Sequence, residues 1–177
     1  MATITYDPLF QKYAARFFLA VQIDGKPFDW RWLHAQAMAE SGLDPRAHSP
    51  AGAMGLMQLM PATFSECVRA LGLPAQASPW DPDLNIHCGA WYLRRMWGIF
   101  KEESGLTRLC FAFGAYNAGA GNIIRAQTVA VCQGKDPSSW SSIISGLPQI
   151  TGSHAQETIG YVRRILRNYE KMQEGLE

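Results

Sequence analysis

Residues 37–61, "AMAESGLDPRAHSPAGAMGLMQLMP", put one carboxylate, Glu40, at the end of an apolar helical run and follow it with a glycine-punctuated turn and a methionine-rich stretch. Leu33, Ala37 and Glu40 fall at i, i+4 and i+7, so the carboxylate shares a helix face with apolar side chains. It also falls in the last turn, where a helix carries about half a negative charge. Burial and that partial charge both disfavour the ionised form, so both raise the pKa expected of Glu40. A carboxylic acid kept protonated near neutral pH is what general-acid cleavage of a glycosidic bond requires.

The stretch after it suits a sugar. In Ser49-Pro50-Ala51-Gly52-Ala53-Met54-Gly55 the two glycines allow positive φ and close backbone approach, so N–H groups and the Ser49 hydroxyl can meet a pyranose ring. "LMQLM" adds flexible apolar contact on both sides of one amide, Gln58. Taken singly, each feature has a plainer use, since a helix-end Glu can bond a nearby amide and a methionine-rich turn can simply fill a core. A β-glycoside hydrolase ordinarily pairs two carboxylates. The candidates for a second are Asp44, which reads as turn chemistry before Pro45; Asp81 and Asp83, which read as caps around Pro82; Glu66, which reads as solvated; and Glu157.

The elements that must position these residues are helical. Asp7-Pro8 opens a helix over 9–22, which Asp24-Gly25-Lys26-Pro27 ends. Asp29 reads as the N-cap of a second helix over 30–40, with Phe28 as its hydrophobic staple and Gly42 just past its end. Pro61 starts a third, stopped at Gly72-Leu73-Pro74, and 75–83 reads as a loop. Further helices are expected over 85–103, 106–119, 120–133 and 157–172, with a loop containing Pro137 and Pro148 before the last. Period-two alternation is absent, so the expected class is all-α with few or no strands, in a single domain over 1–177 whose N-terminal helix (1–28) packs on the rest.

Composition narrows the function. The chain has 177 residues, is 47% hydrophobic and carries a net charge of +1, which gives no electrostatic footprint for nucleic acid. The start, MATITYDPLF, has neither a basic n-region nor an apolar h-region, and no apolar run is long enough to span a bilayer. Cys67, Cys88, Cys110 and Cys132 lie 21 to 22 residues apart without a C-x-x-C, and read as buried free thiols, with disulfides an option in an oxidising compartment. His34, His48, His87 and His154 lack ligand spacing, so neither metal nor cofactor is expected. "GAGNII" follows a helix where a phosphate-binding loop would follow a strand. Arg163, Arg164, Arg167 and Lys171 read as a solvated face. Of the six tryptophans most sit at core spacing, and Trp80, in the proline-rich loop, is the one expected at the surface.

Five motifs in order carry a resemblance: Glu40-Ser41; Ser49-x-x-Gly52-Ala53-x-Gly55-Leu56-Met57-Gln58-x-Met60-Pro61-x-Thr63; Asn85-Ile86-x-x-Gly89; Ala115-Tyr116-Asn117-Ala118-Gly119; and Glu157-Thr158-x-x-Tyr161-Val162. Over residues 30 to about 170 the chain resembles the soluble lytic transglycosylases, lysozyme-like enzymes of glycoside hydrolase family 23. The resemblance implies a lysozyme-like helical fold that holds peptidoglycan glycan strands. It also implies cleavage of the β-1,4 bond between N-acetylmuramic acid and N-acetylglucosamine with a 1,6-anhydro-muramyl end, and Glu40 as sole acid and base. Ser49, Gln58, Met60, Tyr116, Asn117, Glu157 and Tyr161 are by the same likeness the substrate-binding residues. Two positions depart: Ile159 stands where the family often has Arg, and Phe64 where a small residue is common. The alternatives are a goose-type lysozyme-like muramidase and a glycan-binding module without turnover. A monomer acting on the wall from the periplasmic or extracellular side is expected. With no export signal in this chain, a phage lysis protein, a virion-associated enzyme or a bacterial protein without its leader all fit.

Overall fold

The computed structural model describes residues 5–175; the first four residues of the expected N-terminal segment and the last two of the chain lie outside them. Among the described residues the regular elements are α1 (Asp7–Phe18), β1 (Gln22–Ile23), β2 (Lys26–Pro27), α2 (Arg31–Ser41), α3 (Pro61–Ala70), α4 (Pro82–Ile99), α5 (Gly105–Ala118), α6 (Ala120–Cys132), α7 (Trp140–Thr151) and α8 (Ala155–Gln173), with a 3-10 turn at Gly152–His154. The class is mainly α, as the periodicity predicts.

The first helix stops four residues early. Asp24 and Gly25 both take positive φ, 50° and 79°, and close a tight antiparallel hairpin that pairs Gln22 with Pro27 and Ile23 with Lys26. At α2 the Asp29 carboxylate does receive a first-turn N–H, that of Arg31 at 3.0 Å. Phe28 does not staple α2; its ring stacks on Phe18 with centroids 4.1 Å apart. Gly42 takes the left-handed conformation and returns its N–H to Met38 O, which ends the helix just beyond Glu40. The fourth helix, expected over 85–103, instead runs from Pro82 to Ile99.

The expected loop around Pro148 is the helix α7. Pro148 lies three residues from its end, where only one carbonyl of the preceding turn loses its N–H partner, while Ile143, Gly146 and Leu147 bury the face before it.

The chain divides into two units. The first runs up to Val21, takes in Phe28–Tyr92 and resumes at Ile165; the second takes Gln22–Pro27 and Leu93–Arg164, so α4 and α8 each belong partly to both. In the first, Phe10, Phe18, Leu33, Leu56, Met57 and Ile86 are buried. The Asp29 carboxylate also accepts from Tyr169 Oη (3.2 Å) and Gln173 Nε2 (2.8 Å), and Tyr169 stacks on Trp32.

In the second unit α5 is buried from Leu109 to Tyr116, which makes it the central helix there. A Cβ on Gly114 would lie 2.6 Å from the Trp140 ring, so that glycine admits α7's first aromatic. All four cysteines are free thiols. Cys67, Cys88 and Cys110 are buried as expected, and burial pushes Cys110 up to about 12. Cys132 departs from that reading, because it ends α6 at the surface.

His87 on α4 is the buried group with the largest consequence for pH. Its ring stacks on Tyr13 at 4.4 Å and meets Phe17 at 5.6 Å, and its Nε2 has no hydrogen-bond partner. Burial, helped by Arg16 and Lys12 and opposed by Asp83, pushes its pKa down to about 4 from 6.5. Between those values the unfolded chain binds the proton and the fold does not. Stability is therefore lost as pH falls from about 6.5 to about 4, by on the order of 3 kcal/mol at the lower end. His87→Phe keeps a stacking ring without the titration. Thermal melting of the variant should vary less with pH across that window than that of the wild type, and parallel curves would refute the assignment.

Candidate active site

Glu40 is half-buried in the last turn of α2. Ser41 ties that helix end to the segment that follows, its hydroxyl donating to Leu56 O at 2.9 Å. The segment 47–59 is irregular but closely bonded. Ser49 N–H donates to Ala53 O, and Ser49 Oγ accepts the Ala53 N–H, both at 3.0 Å; that leaves the Ser49 hydroxyl proton for an incoming acceptor. Met54 and Leu59 exchange both backbone bonds, and Gly55 N–H donates to Ala47 O at 2.9 Å. Gln58 has a left-handed backbone, φ 44°, and its Nε2 donates to Ala47 O (3.0 Å) and Gly55 O (2.9 Å). Both amide protons are thus spent inside the loop, and Oε1 is the atom left to face a ligand. Met60 follows at 43% exposure, ahead of Pro61 at the start of α3.

One buried side chain fixes this loop from α4. Asn85, 1% exposed, accepts the Met57 N–H at 2.7 Å and donates to Met54 O at 3.0 Å and to Pro79 O at 2.8 Å. Gly55 must stay glycine for this, because a Cβ there would stand 2.4 Å from Asn85 Nδ2 and its φ is 73°. Asn85 was legible only as part of a motif; its role as the clamp was not.

The carboxylates of the first unit have other duties. Asp44 accepts the Arg46 N–H at 2.8 Å, the turn that the sequence predicts. Asp81 caps α4 by accepting the N–H groups of Asp83 and Leu84 at 2.9 and 3.2 Å. Asp83 is not a cap: it takes Tyr13 Oη at 2.7 Å and Lys12 Nζ at 3.0 Å, and these bonds outweigh the effect of its burial and hold its carboxyl below the usual range. Glu66 is half-buried on α3 where a solvated position was expected.

In the second unit a cavity of about 430 Å³ is lined by Asn117, Ala118, Asn122, Ile150, Thr151, His154, Glu157 and Thr158. It unites two of the sequence candidates, Asn117 at the end of α5 and Glu157 in the first turn of α8. Thr158, buried, hydrogen-bonds Asn117 Oδ1 at 2.7 Å, which turns the amide nitrogen of Asn117 away from itself. Tyr116 and Tyr161 do not line the cavity; Tyr161 is 1% exposed and packs within the core. Thr151 was not singled out in the sequence, and Asn122 and His154 were met there only inside "GAGNII" and as a histidine without ligand spacing. The two departures are both core residues, Phe64 on α3 and Ile159 on α8.

The profile of the transglycosylase SLT domain matches residues 23–139. The chain belongs to the transglycosylase SLT family. It is 33% identical over 179 residues to membrane-bound lytic murein transglycosylase F of Vibrio cholerae, covering 94% of this chain and 30% of that protein. It is likewise 33% identical over 169 residues to the protein of the same name from Serratia proteamaculans, covering 93% of this chain and 31% of that protein. The chain spans roughly a third of the length of these curated relatives. Among solved structures it is similar to the 70 kDa soluble lytic transglycosylase of Escherichia coli (TM-score 0.70, 29% identity, 98% of this chain and 25% of that one). It is also similar to an inactive Glu-to-Gln variant of lytic transglycosylase Slt from Pseudomonas aeruginosa (TM-score 0.72, 26% identity, 97% and 25%).

Asn85→Ala removes three hydrogen bonds and takes from the Met57 N–H and the Pro79 carbonyl the partner that Asn85 supplies, while the Met54 carbonyl keeps the Leu59 N–H. The expected loss is about 3 kcal/mol of stability in urea unfolding, with faster amide exchange concentrated in 54–58. A loss under about 1 kcal/mol would show that the loop holds itself.

Proposed function

We propose that this chain is a peptidoglycan lytic transglycosylase that cleaves the β-1,4 bond between N-acetylmuramic acid and N-acetylglucosamine and leaves a 1,6-anhydro-muramyl end, with Glu40 as the single acid and base. The observation that carries the reading is the SLT profile running through Glu40 at the glycine-capped end of α2, where Ser41 anchors it to the loop of Ser49, Gln58 and Met60.

In the first step the Glu40 carboxyl gives its proton to the bridging oxygen as the bond from the muramyl C1 to that oxygen breaks. The helix's negative end favours the protonated acid that this step starts from. The carboxylate then takes the proton of the sugar's own C6 hydroxyl as that oxygen bonds to C1. No water is consumed, and Glu40 ends protonated as it began. The internal hydroxyl is held near C1, so its effective concentration exceeds that of a competing water. That Asp44, Asp81 and Asp83 are committed to backbone N–H groups, to Tyr13 and to Lys12 supports a route with one carboxylate. The inactivity of the Glu-to-Gln variant of the Pseudomonas aeruginosa enzyme agrees with the need for one Glu.

Saccharide contacts come from Ser49, through its spare hydroxyl proton, from Gln58 and Met60, and from Asn117 and Glu157; Tyr116 and Tyr161, both buried, serve the site from within the core. At the cavity, Thr158 holds the Asn117 carboxamide so that its N–H₂ serves a sugar or acetamido oxygen. The substrate places the activity on the wall side of the cytoplasmic membrane. Among the described residues no helix is long and apolar enough to cross a membrane.

Mass spectrometry of soluble products from purified peptidoglycan tests the proposal. The wild type should release muropeptides one water lighter than hydrolytic ones, and Glu40→Gln should lower the rate at least 10²- to 10⁴-fold with its melting temperature retained. Full-mass reducing ends would reassign the chain as a muramidase. No product from the wild type would make it a glycan-binding module.

A further inference from the structure

We propose that Trp80 is a stacking platform for a pyranose ring of the glycan strand, a binding position outside the five motifs. The inference rests on the transglycosylase reading for its ligand class and on the first unit's geometry for its place.

Trp80 is 41% exposed, the most exposed tryptophan of the chain, while Trp32 and Trp97 are buried and Trp30, Trp91 and Trp140 are half-buried. Its backbone is nonetheless fixed on both sides. The Trp80 N–H meets Ser78 Oγ at 3.3 Å, and the Pro79 carbonyl accepts from Asn85. The Asp81 N–H returns to Ser78 O at 3.2 Å, and the Asp81 carboxylate is locked as the cap of α4. A large apolar ring is thus held in solvent on an ordered loop, so a ligand that covers it has little chain entropy left to remove.

The position is tied to the Ser49 loop. His48, next to Ser49, meets the Trp80 ring edge-on at 5.9 Å, and His48 bridges to Met54. The same Asn85 amide nitrogen binds Met54 O on one loop and Pro79 O on the other. One buried carboxamide therefore sets Trp80 and the saccharide-facing loop in a fixed relation. In β-1,4-linked N-acetylhexosamines the ring substituents are equatorial and the axial C–H bonds point out of both faces. Those weakly positive hydrogens match the negative face of an indole. A flat apolar sugar face fits Trp80 better than an anionic ligand, because the face of an indole is itself weakly negative.

The test compares wild type, Trp80→Ala and Trp80→Phe on purified peptidoglycan, together with titration of chitotetraose followed through the indole Nε1–H resonance that Trp80→Phe removes. The expected results are a half-saturating substrate amount about tenfold higher for the Ala variant and within about threefold for Phe, and a shift of the Trp80 resonance on titration. Melting temperatures near that of the wild type keep the comparison to binding. Normal saturation by Trp80→Ala with an unshifted Trp80 resonance, in a wild type that yields anhydro products, overturns the platform and leaves the transglycosylase reading intact. A wild type without products overturns both.

Discussion

The Asn85 carboxamide is the interaction on which the loop after Glu40 depends. The loop from Ala47 to Leu59 has no regular element of its own, so its backbone groups need partners from elsewhere. Asn85 supplies one acceptor and two donors from a single neutral group, and no other residue of its size does both. An Asp there would lose the donors and set a charge against two carbonyls; a Leu would take away all three bonds and leave Met54 O with the Leu59 N–H alone. Two glycines complete the device. Gly55 lets the amide reach the loop, and on α4 a Cβ at Gly89 would lie 2.6 Å from the Met57 side chain. One position in the loop and two on α4 act as one clamp.

A second constraint fixes the helix that carries Glu40. Near its start α2 is held by α8: Tyr169 stacks on Trp32, Tyr169 and Gln173 converge on Asp29, and Asn168 Nδ2 reaches Ala35 O at 3.2 Å. At the other end, Gly42 stops the helix and Ser41 binds Leu56 O. Glu40 sits between these anchors with little freedom to drift. Burial of the Tyr169 hydroxyl beside Asp29 pushes it up to about 12, so the anchor keeps its proton throughout the neutral range.

Local chemistry was legible in the sequence and long-range pairing was not. Gly42 as a stop, Asp81 as a cap, Asp44 as a turn residue and Trp80 as the surface tryptophan all follow from neighbours within a few positions, and the structure has them so. Asp83 looked like a second cap because Lys12 and Tyr13 lie about 70 residues away. Pro148 looked like a breaker because its burial partners on other helices are invisible to a local reading. Phe28 looked like a staple and stacks on Phe18 instead, since the intervening hairpin folds the chain back. The five motifs made the family recognisable, yet what Asn85 and Thr158 do inside them emerges only from distances.

Rigidity of the loop has a local cost, and its location is informative. Gln58 and Leu43 hold φ of 44° and 66° without being glycine, conformations that L side chains adopt only when their surroundings impose them. At Gln58 the two bonds from Nε2 to Ala47 O and Gly55 O offset the strain and in doing so close the loop on itself. A glycine at 58 would relax φ but release the loop. Several of the loop's polar groups are bonded before any ligand arrives, and the Ser49 hydroxyl proton and Gln58 Oε1 are left over. A loop organised in this way reorganises little when a ligand meets it, so the energy of the contact is not spent on ordering the chain.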